Sequence, residues 1–146
     1  GTVVIADTFN DRMVLFSRKG DFIKSFCSPQ MKRPSAIAVL IDGRFAVKDI
    51  HSILLFTATG EYVEHLKHAT HLKYPYGLTM DDDGNLLTIE TTKNGHVTIV
   101  IMDPMGSCGL SRVRVDLGLS KEKAAQSKPR FIAYQGHNTI LIVDLG

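Results

Sequence analysis

Charge of one sign is in short supply: 17 Lys and Arg stand against 15 Asp and Glu, for a net charge of +2. Such a balance does not by itself argue for a nucleic-acid partner. No apolar run approaches the ~18 residues of a membrane-spanning helix, so no membrane partner is expected. Cysteine is limited to Cys27 and Cys108, too few for a disulfide framework. There is no Asn-x-Ser/Thr sequon, and the start, Gly1-Thr2-Val3-Val4-Ile5, lacks the basic stretch of a secretory signal. Together these absences point to a reducing, cytoplasmic compartment. Sustained helical periodicity is also missing. What remains is 44% hydrophobic and 22% charged over 146 residues, the profile of a folded domain with a sizeable core.

The chain repeats itself, and the repeat decides the fold. Three glycines, Gly20, Gly60 and Gly106, each follow an apolar run: Met13-Val14-Leu15-Phe16, Ile53-Leu54-Leu55-Phe56, and Val97 to Met102. Three prolines follow in turn, in Arg33-Pro34-Ser35, Tyr74-Pro75-Tyr76 and Lys128-Pro129-Arg130; the first two are 41 residues apart and the next two 54. Strands ending in an acid recur as well, at Asp7, Asp49, Glu90 and Asp144. Each unit reads as four short strands of β-branched and aromatic residues separated by turns. Asp42-Gly43, Asp83-Gly84 and Asn94-Gly95 carry the hairpin signal. Only residues 120–126, Ser-Lys-Glu-Lys-Ala-Ala-Gln, suit a short helix, with Ser120 as its cap, inside the third unit's extra length. A period near 40 with four strands per unit predicts blades of a β-propeller. The expectation is an all-β partial propeller over 1–146, with blade parts about 1–33, 34–74, 75–128 and 129–146. Its open edges would need the remaining blades or another copy to cover them.

The first unit resembles the NHL repeat. Asp7, Asn10, Arg12 and Met13 fit that family's D-x-x-N-x-R-[VI] signature, with Met13 in the last place; Phe16, Gly20 and Phe22 follow its F-x-x-x-G-x-F. Pro34-Ser35-Ala36-Ile37-Ala38-Val39 is similar to its P-x-G-[IV]-[AT]-V, with Ala36 in place of glycine. The second unit keeps Asp49, Phe56, Gly60, Pro75 and Gly77 but has Ser52 and Ile53 where the family has Asn-x-Arg. The third has Glu90 for Asp and a long insertion. The resemblance implies a propeller that is six-bladed when complete, at the end of a TRIM-type ubiquitin ligase, recruiting protein substrates without being catalytic itself. RING, B-box and coiled-coil segments are not among these residues. Read from the residues alone, Asp7 would accept backbone N–H groups of the next turn, Asn10 would take a left-handed conformation, and Arg12 would bridge back to Asp7.

In a propeller the loops entering the innermost strands share one side of the disc. The residues flanking the prolines, Arg33, Ser35, Tyr74, Tyr76, Lys128 and Arg130, are therefore the candidate partner-binding set. Arg and Tyr suit a protein partner. Basic groups interleaved with rings equally suit single-stranded RNA, which the resemblance also allows, giving a post-transcriptional regulator. Residues 111–130 concentrate six cationic side chains against two acids. They are the first place to look for an anion, although a solvated loop explains them as well.

Catalytic readings have little support. His65, His68 and His71, with His51, lack a helix to align them, and neither cysteine has a nearby partner for a metal. Asp81-Asp82-Asp83-Gly84-Asn85 resembles a calcium loop but has Thr92 where the closing glutamate belongs, so it reads as a turn. Gly106-Ser107-Cys108-Gly109 is not a nucleophile elbow. The innermost strands, 35–40, 76–81 and 131–135, hold no histidine and one acid, at a strand end. No cofactor and no metal are expected from these residues. A metal-dependent lyase or hydrolase of similar fold is the third alternative, with ligands on further blades.

Overall fold

The structure is a computed structural model, and it describes residues 1–66, 69, 72, 75–91, 96–105, 109–116, 118, 121–126, 128–137 and 139–144, with backbone only at 121, 124, 125 and 144. The chain divides into two compact units, 1–66 and 67–146.

The first unit holds two antiparallel sheets. Strands β1 (Thr2–Asp7), β2 (Arg12–Ser17) and β3 (Phe22–Phe26) pair in that order; β4 (Ala36–Val39), β5 (Phe45–Lys48), β6 (Ile53–Phe56) and β7 (Tyr62–His65) form the second sheet. Alternation decides which side chains meet. Val4, Ala6, Met13 and Phe26 join Met31, Ile37, Phe45, Val47, Leu54, Phe56 and Tyr62 in one core. The Phe26 ring stacks on Phe45 at 5.8 Å and tilts against Phe56 at 5.3 Å. Val3 and Ile5, on the opposite face of β1, are about half exposed, at 47% and 46%.

The second unit repeats the plan. Strands β8 (Tyr76–Met80), β9 (Leu86–Thr91), β10 (Val97–Met102) and β11 (Ser111–Val115) form a four-stranded sheet; β12 (Pro129–Gly136) and β13 (Thr139–Asp144) form a hairpin. Leu87, Ile89, Val97 and Ile99 pack with Ile132, Ile140 and Ile142. Phe131, Leu141 and Val143 face away and are 49–57% exposed. Helix α1 (Lys121–Gln126) stands where the sequence suggests it, while Ser120, its expected cap, lies outside the described residues, as do Asn94-Gly95 and Gly106. Among the described residues no helix is long and apolar enough to cross a membrane.

The turns carry out the expected chemistry with two corrections. In the hairpins, Asp42 Oδ1 accepts the Arg44 N–H at 3.0 Å, and Asp81 Oδ1 accepts those of Asp83 and Asn85 at 3.1 and 2.8 Å. The Asp81 carboxylate is thus engaged by its own turn, as the hairpin reading of the calcium-like run requires. In the signature loop, Arg12 Nε bonds Asp7 Oδ2 at 2.7 Å, as expected. Asp7, however, takes side-chain donors: Asn10 Nδ2 reaches both its oxygens at 2.8 and 3.0 Å. Asn10 belongs to a short 3-10 turn, Thr8–Asn10, and the left-handed residue is its neighbour Asp11, with φ 51°. The reason is that Asn10 is already tied back to Asp7, so the chain reverses one residue later.

Gly60 answers two demands at once. Its φ is +85°, and a Cβ there would lie 2.6 Å from the Phe26 ring. Beside it, Lys24 Nζ donates to the Thr59 carbonyl at 2.7 Å, tying β3 to the β6–β7 turn. Gly60→Ala is expected to lower stability by about 3 kcal/mol, combining left-handed strain with overpacking. Gly20→Ala, where a Cβ would meet nothing within 4 Å, should cost only the strain, about 1–2 kcal/mol. Urea unfolding of both variants checks this; equal losses would contradict it.

Acid stability gives a second check. The Arg12 guanidinium, with help from the Asn10 amide, holds the Asp7 carboxyl below the usual carboxylate range. A depressed folded pKa adds stability that is present above the unfolded value, about 3.9, and is lost as pH falls through the folded one. The difference in urea midpoint between wild type and Arg12→Ala should therefore stay constant from pH 7 to about 5 and narrow below about 4. A difference that grows on acidification would show that Arg12 does not act through Asp7.

Candidate partner-binding loops

Of the six residues singled out from the sequence, five lie among the described residues, and Arg33, Ser35, Lys128 and Arg130 are exposed while Tyr76 is half-buried. In the first unit, Arg33 is exposed and left-handed, with φ 49°. Its guanidinium carbon lies 5.6 Å from the centre of the Phe9 ring. Phe9 is 86% exposed, an unusual setting for a large aromatic side chain. Ser35 is exposed, but its hydroxyl accepts a 3.1 Å bond from the buried Lys48 ammonium, which also donates to the Asp49 carbonyl at 3.0 Å. Ser35 thus serves the start of β4 more than an incoming partner.

The Arg33 loop is held from two sides. On one side, Arg33 N–H donates to Asp11 Oδ1 at 2.6 Å, the Lys32 ammonium stands 3.5 Å from Asp11 Oδ2, and Thr8 Oγ1 donates to the Pro34 carbonyl at 2.8 Å. On the other, Lys32 N–H donates to Asp49 Oδ2 at 3.0 Å, and Ile50 N–H donates to the Lys32 carbonyl at 3.2 Å. Asp49 is 1% exposed and also accepts the N–H groups of His51 and Ser52 at 2.7 and 2.8 Å. Foremost through the Arg33 N–H, and then through the nearby Lys32 charge, the Asp11 carboxyl is held below its ordinary range.

In the second unit, the Arg130 guanidinium carbon lies 4.5 Å over the Tyr76 ring. The contact follows from strand packing: Tyr134 N–H donates to Thr79 Oγ1 at 3.3 Å, so β12 runs beside β8 in the same direction. Gly77, with φ +63°, makes this possible, because a Cβ there would lie 2.9 Å from the Ile132 backbone nitrogen. At the far end of the same pair, Tyr134 Oη donates to Asp82 Oδ2 at 3.0 Å. Lys128 is exposed and engaged in an interaction of its own. Tyr74 lies outside the described residues.

Sequence reasoning missed Phe9, Asp11 and Lys32. The available signal was Phe9 itself, a large apolar residue in an otherwise polar turn. In the cationic stretch, Arg112 Nε pairs with Glu90 Oε2 at 3.2 Å, so part of that charge is used within the sheet. Of the histidines, His65 Nδ1 lies 3.0 Å from Ser52 Oγ, whereas His68 and His71 lie outside the described residues. Among the described residues no three His, Cys, Asp or Glu side chains gather to hold a metal ion.

Comparison with known proteins agrees with this architecture. The brain tumor protein of Drosophila melanogaster, a TRIM-NHL protein, is 28% identical over 114 residues, 72% of this chain and 11% of its own length. No family model matches the chain. A streptogramin B lyase structure is similar with a TM-score of 0.70 at 19% identity, covering 99% of this chain and 45% of that one. Virginiamycin B lyase from Staphylococcus aureus gives 0.65 at 19% identity, covering 99% and 51%. A luciferin-regenerating enzyme gives 0.62 at 16% identity, covering 91% and 43%. The chain thus spans 11% of the length of the relative and 43–51% of these solved structures. At such identities the solved structures speak to fold alone, and that fold is all-β, a partial β-propeller. In sequence and in fold the chain is similar to NHL-type β-propellers.

Proposed function

We propose that this chain is part of a macromolecule-binding propeller module that recruits protein substrates, in the cytoplasm, for a TRIM-type ubiquitin ligase. The observation that carries this reading is the arginine–aromatic pair at the proline loop of each unit: Arg33 over Phe9, and Arg130 over Tyr76. Arginine and aromatic side chains dominate protein hot spots because they combine apolar area with directed hydrogen bonding. A guanidinium resting on a ring keeps its outer N–H groups available to a carboxylate, the geometry that favours bidentate pairing. Acidic segments carrying an apolar side chain are the partner chemistry that fits. The exposed apolar faces at Val3 and Ile5, and at Phe131, Leu141 and Val143, are where we place further blades or another copy. The four blade parts, about 1–33, 34–74, 75–128 and 129–146, form part of this proposal.

Single-stranded RNA is the second reading. Phe9 offers a ring on which a base could stack beside a cation that could meet phosphate.

Immobilised wild-type chain, Arg33→Ala and Arg130→Ala should be compared for capture from RNase-treated lysate. On the protein reading each substitution weakens capture about tenfold or more, while the melting temperature moves by only a few degrees, because an exposed cation–π pair is worth about 0.5–1 kcal/mol. Capture that vanishes on RNase treatment would transfer the assignment to RNA. In that case Arg33→Ala should also reduce the salt slope of oligonucleotide binding by about 1. Unchanged binding in both assays would overturn this role for the loops.

A further inference from the structure

We infer that Asp11 is a positioning residue: its carboxylate latches the left-handed backbone of Arg33 and thereby sets the Arg33 guanidinium on the Phe9 ring. The inference rests on the reading of the proline loops as a binding surface and names what prepares that surface in the first unit.

Three observations converge. First, Arg33 has φ 49°, a strained conformation for a residue other than glycine. Something must hold it there, and the contact at its own N–H is the 2.6 Å bond to Asp11 Oδ1. A hydrogen bond to an ionised acceptor is shorter and stronger than a neutral one, so this one offsets the strain. Second, Asp11 is itself left-handed, with φ 51°, and ends the turn that carries Phe9. Ring and latch therefore belong to one rigid turn, so fixing Arg33 to Asp11 also fixes its distance from Phe9. Third, Asp11 is left to act outside its own loop. Asn10 and Arg12 are committed to Asp7, whereas both Asp11 oxygens face the neighbouring segment, one toward Arg33 N–H and the other 3.5 Å from the Lys32 ammonium. Backbone strain held by a specific partner is a recurring feature of functional sites.

The full chain, labelled with ¹⁵N and ¹³C at arginine, provides the test. The Phe9 ring current should displace the Arg33 Nε–H resonance, and Phe9→Leu identifies that displacement. Asp11→Asn keeps an acceptor oxygen and tolerates the left-handed conformation; Asp11→Gly keeps the conformation without the acceptor. The displacement should persist in Asp11→Asn and disappear in Asp11→Gly. Capture should follow the same order, with Asp11→Gly resembling Arg33→Ala. A displacement retained in Asp11→Gly would overturn the inference. Should Asp11→Gly fail to fold, wild-type hydrogen exchange still decides: the Arg33 amide should exchange at least about tenfold more slowly than an open amide. Exchange at the open rate would mean there is no latch. Arg33→Ala with unchanged capture would instead remove the functional reading while leaving the latch standing, so the two failures are distinguishable.

Discussion

Carboxylates at strand ends are the interaction on which the rest of this structure depends. Where one strand turns into the next, backbone and side-chain donors need an acceptor, and an acid supplies it. Asp7 draws in Asn10 and Arg12; Asp49 takes the N–H groups of His51 and Ser52. Glu90 receives Arg112 from β11. The difference between the first two follows from how far each acid stands from the next strand. Four residues separate Asp7 from Arg12, where β2 begins, a span that long side chains bridge. The loop from Asp49 to Ile53 is tighter, so backbone donors reach the acid directly. This is why the second repeat can lack the Asn-x-Arg pair and keep the turn. Burying Asp49 would be costly without compensation, and its third donor, Lys32 N–H, comes from the segment that carries Arg33.

That coupling explains what could be read from the sequence and what could not. Turn chemistry is local, so glycine, proline and aspartate spacing revealed the hairpins at Asp42-Gly43 and Asp83-Gly84, and runs of β-branched and aromatic residues revealed the short strands between turns. The Asp7–Arg12 bridge spans five residues and was equally legible. The candidate loops were legible only in part. Proline flanks pointed to Arg33, Tyr76 and Arg130, but the rings they meet are set by packing across long separations. Asn10 is tied back to Asp7, so Asp11 takes the left-handed conformation, and its carboxylate then meets the Arg33 N–H, 22 residues away in sequence. A motif read along the chain contains no term for such a contact. Ser35 shows the converse: it flanks a proline as Arg33 does, yet the buried Lys48 claims its hydroxyl.

The apolar core and the loops are therefore one argument. Phe26, Phe45 and Phe56 lock the first two sheets together, and Gly60 leaves room for the Phe26 ring. That locking sets the distance between the turn bearing Phe9 and Asp11 and the turn bearing Asp49, and the Arg33 segment is suspended between them by hydrogen bonds at residues 32, 33 and 34. A loop whose backbone groups are satisfied before binding loses little conformational freedom when a partner arrives, so more of the contact energy remains as affinity. What is left unsatisfied is the outer edge of a guanidinium and the open face of a ring. On the proposed reading, a site prepared in this way selects for a partner that brings both an acid and an apolar surface. A simple polyanion would meet the charge but leave Phe9 wet; an apolar peptide would cover Phe9 but strand the cation. On that reading, specificity at these loops would follow from demanding the two together.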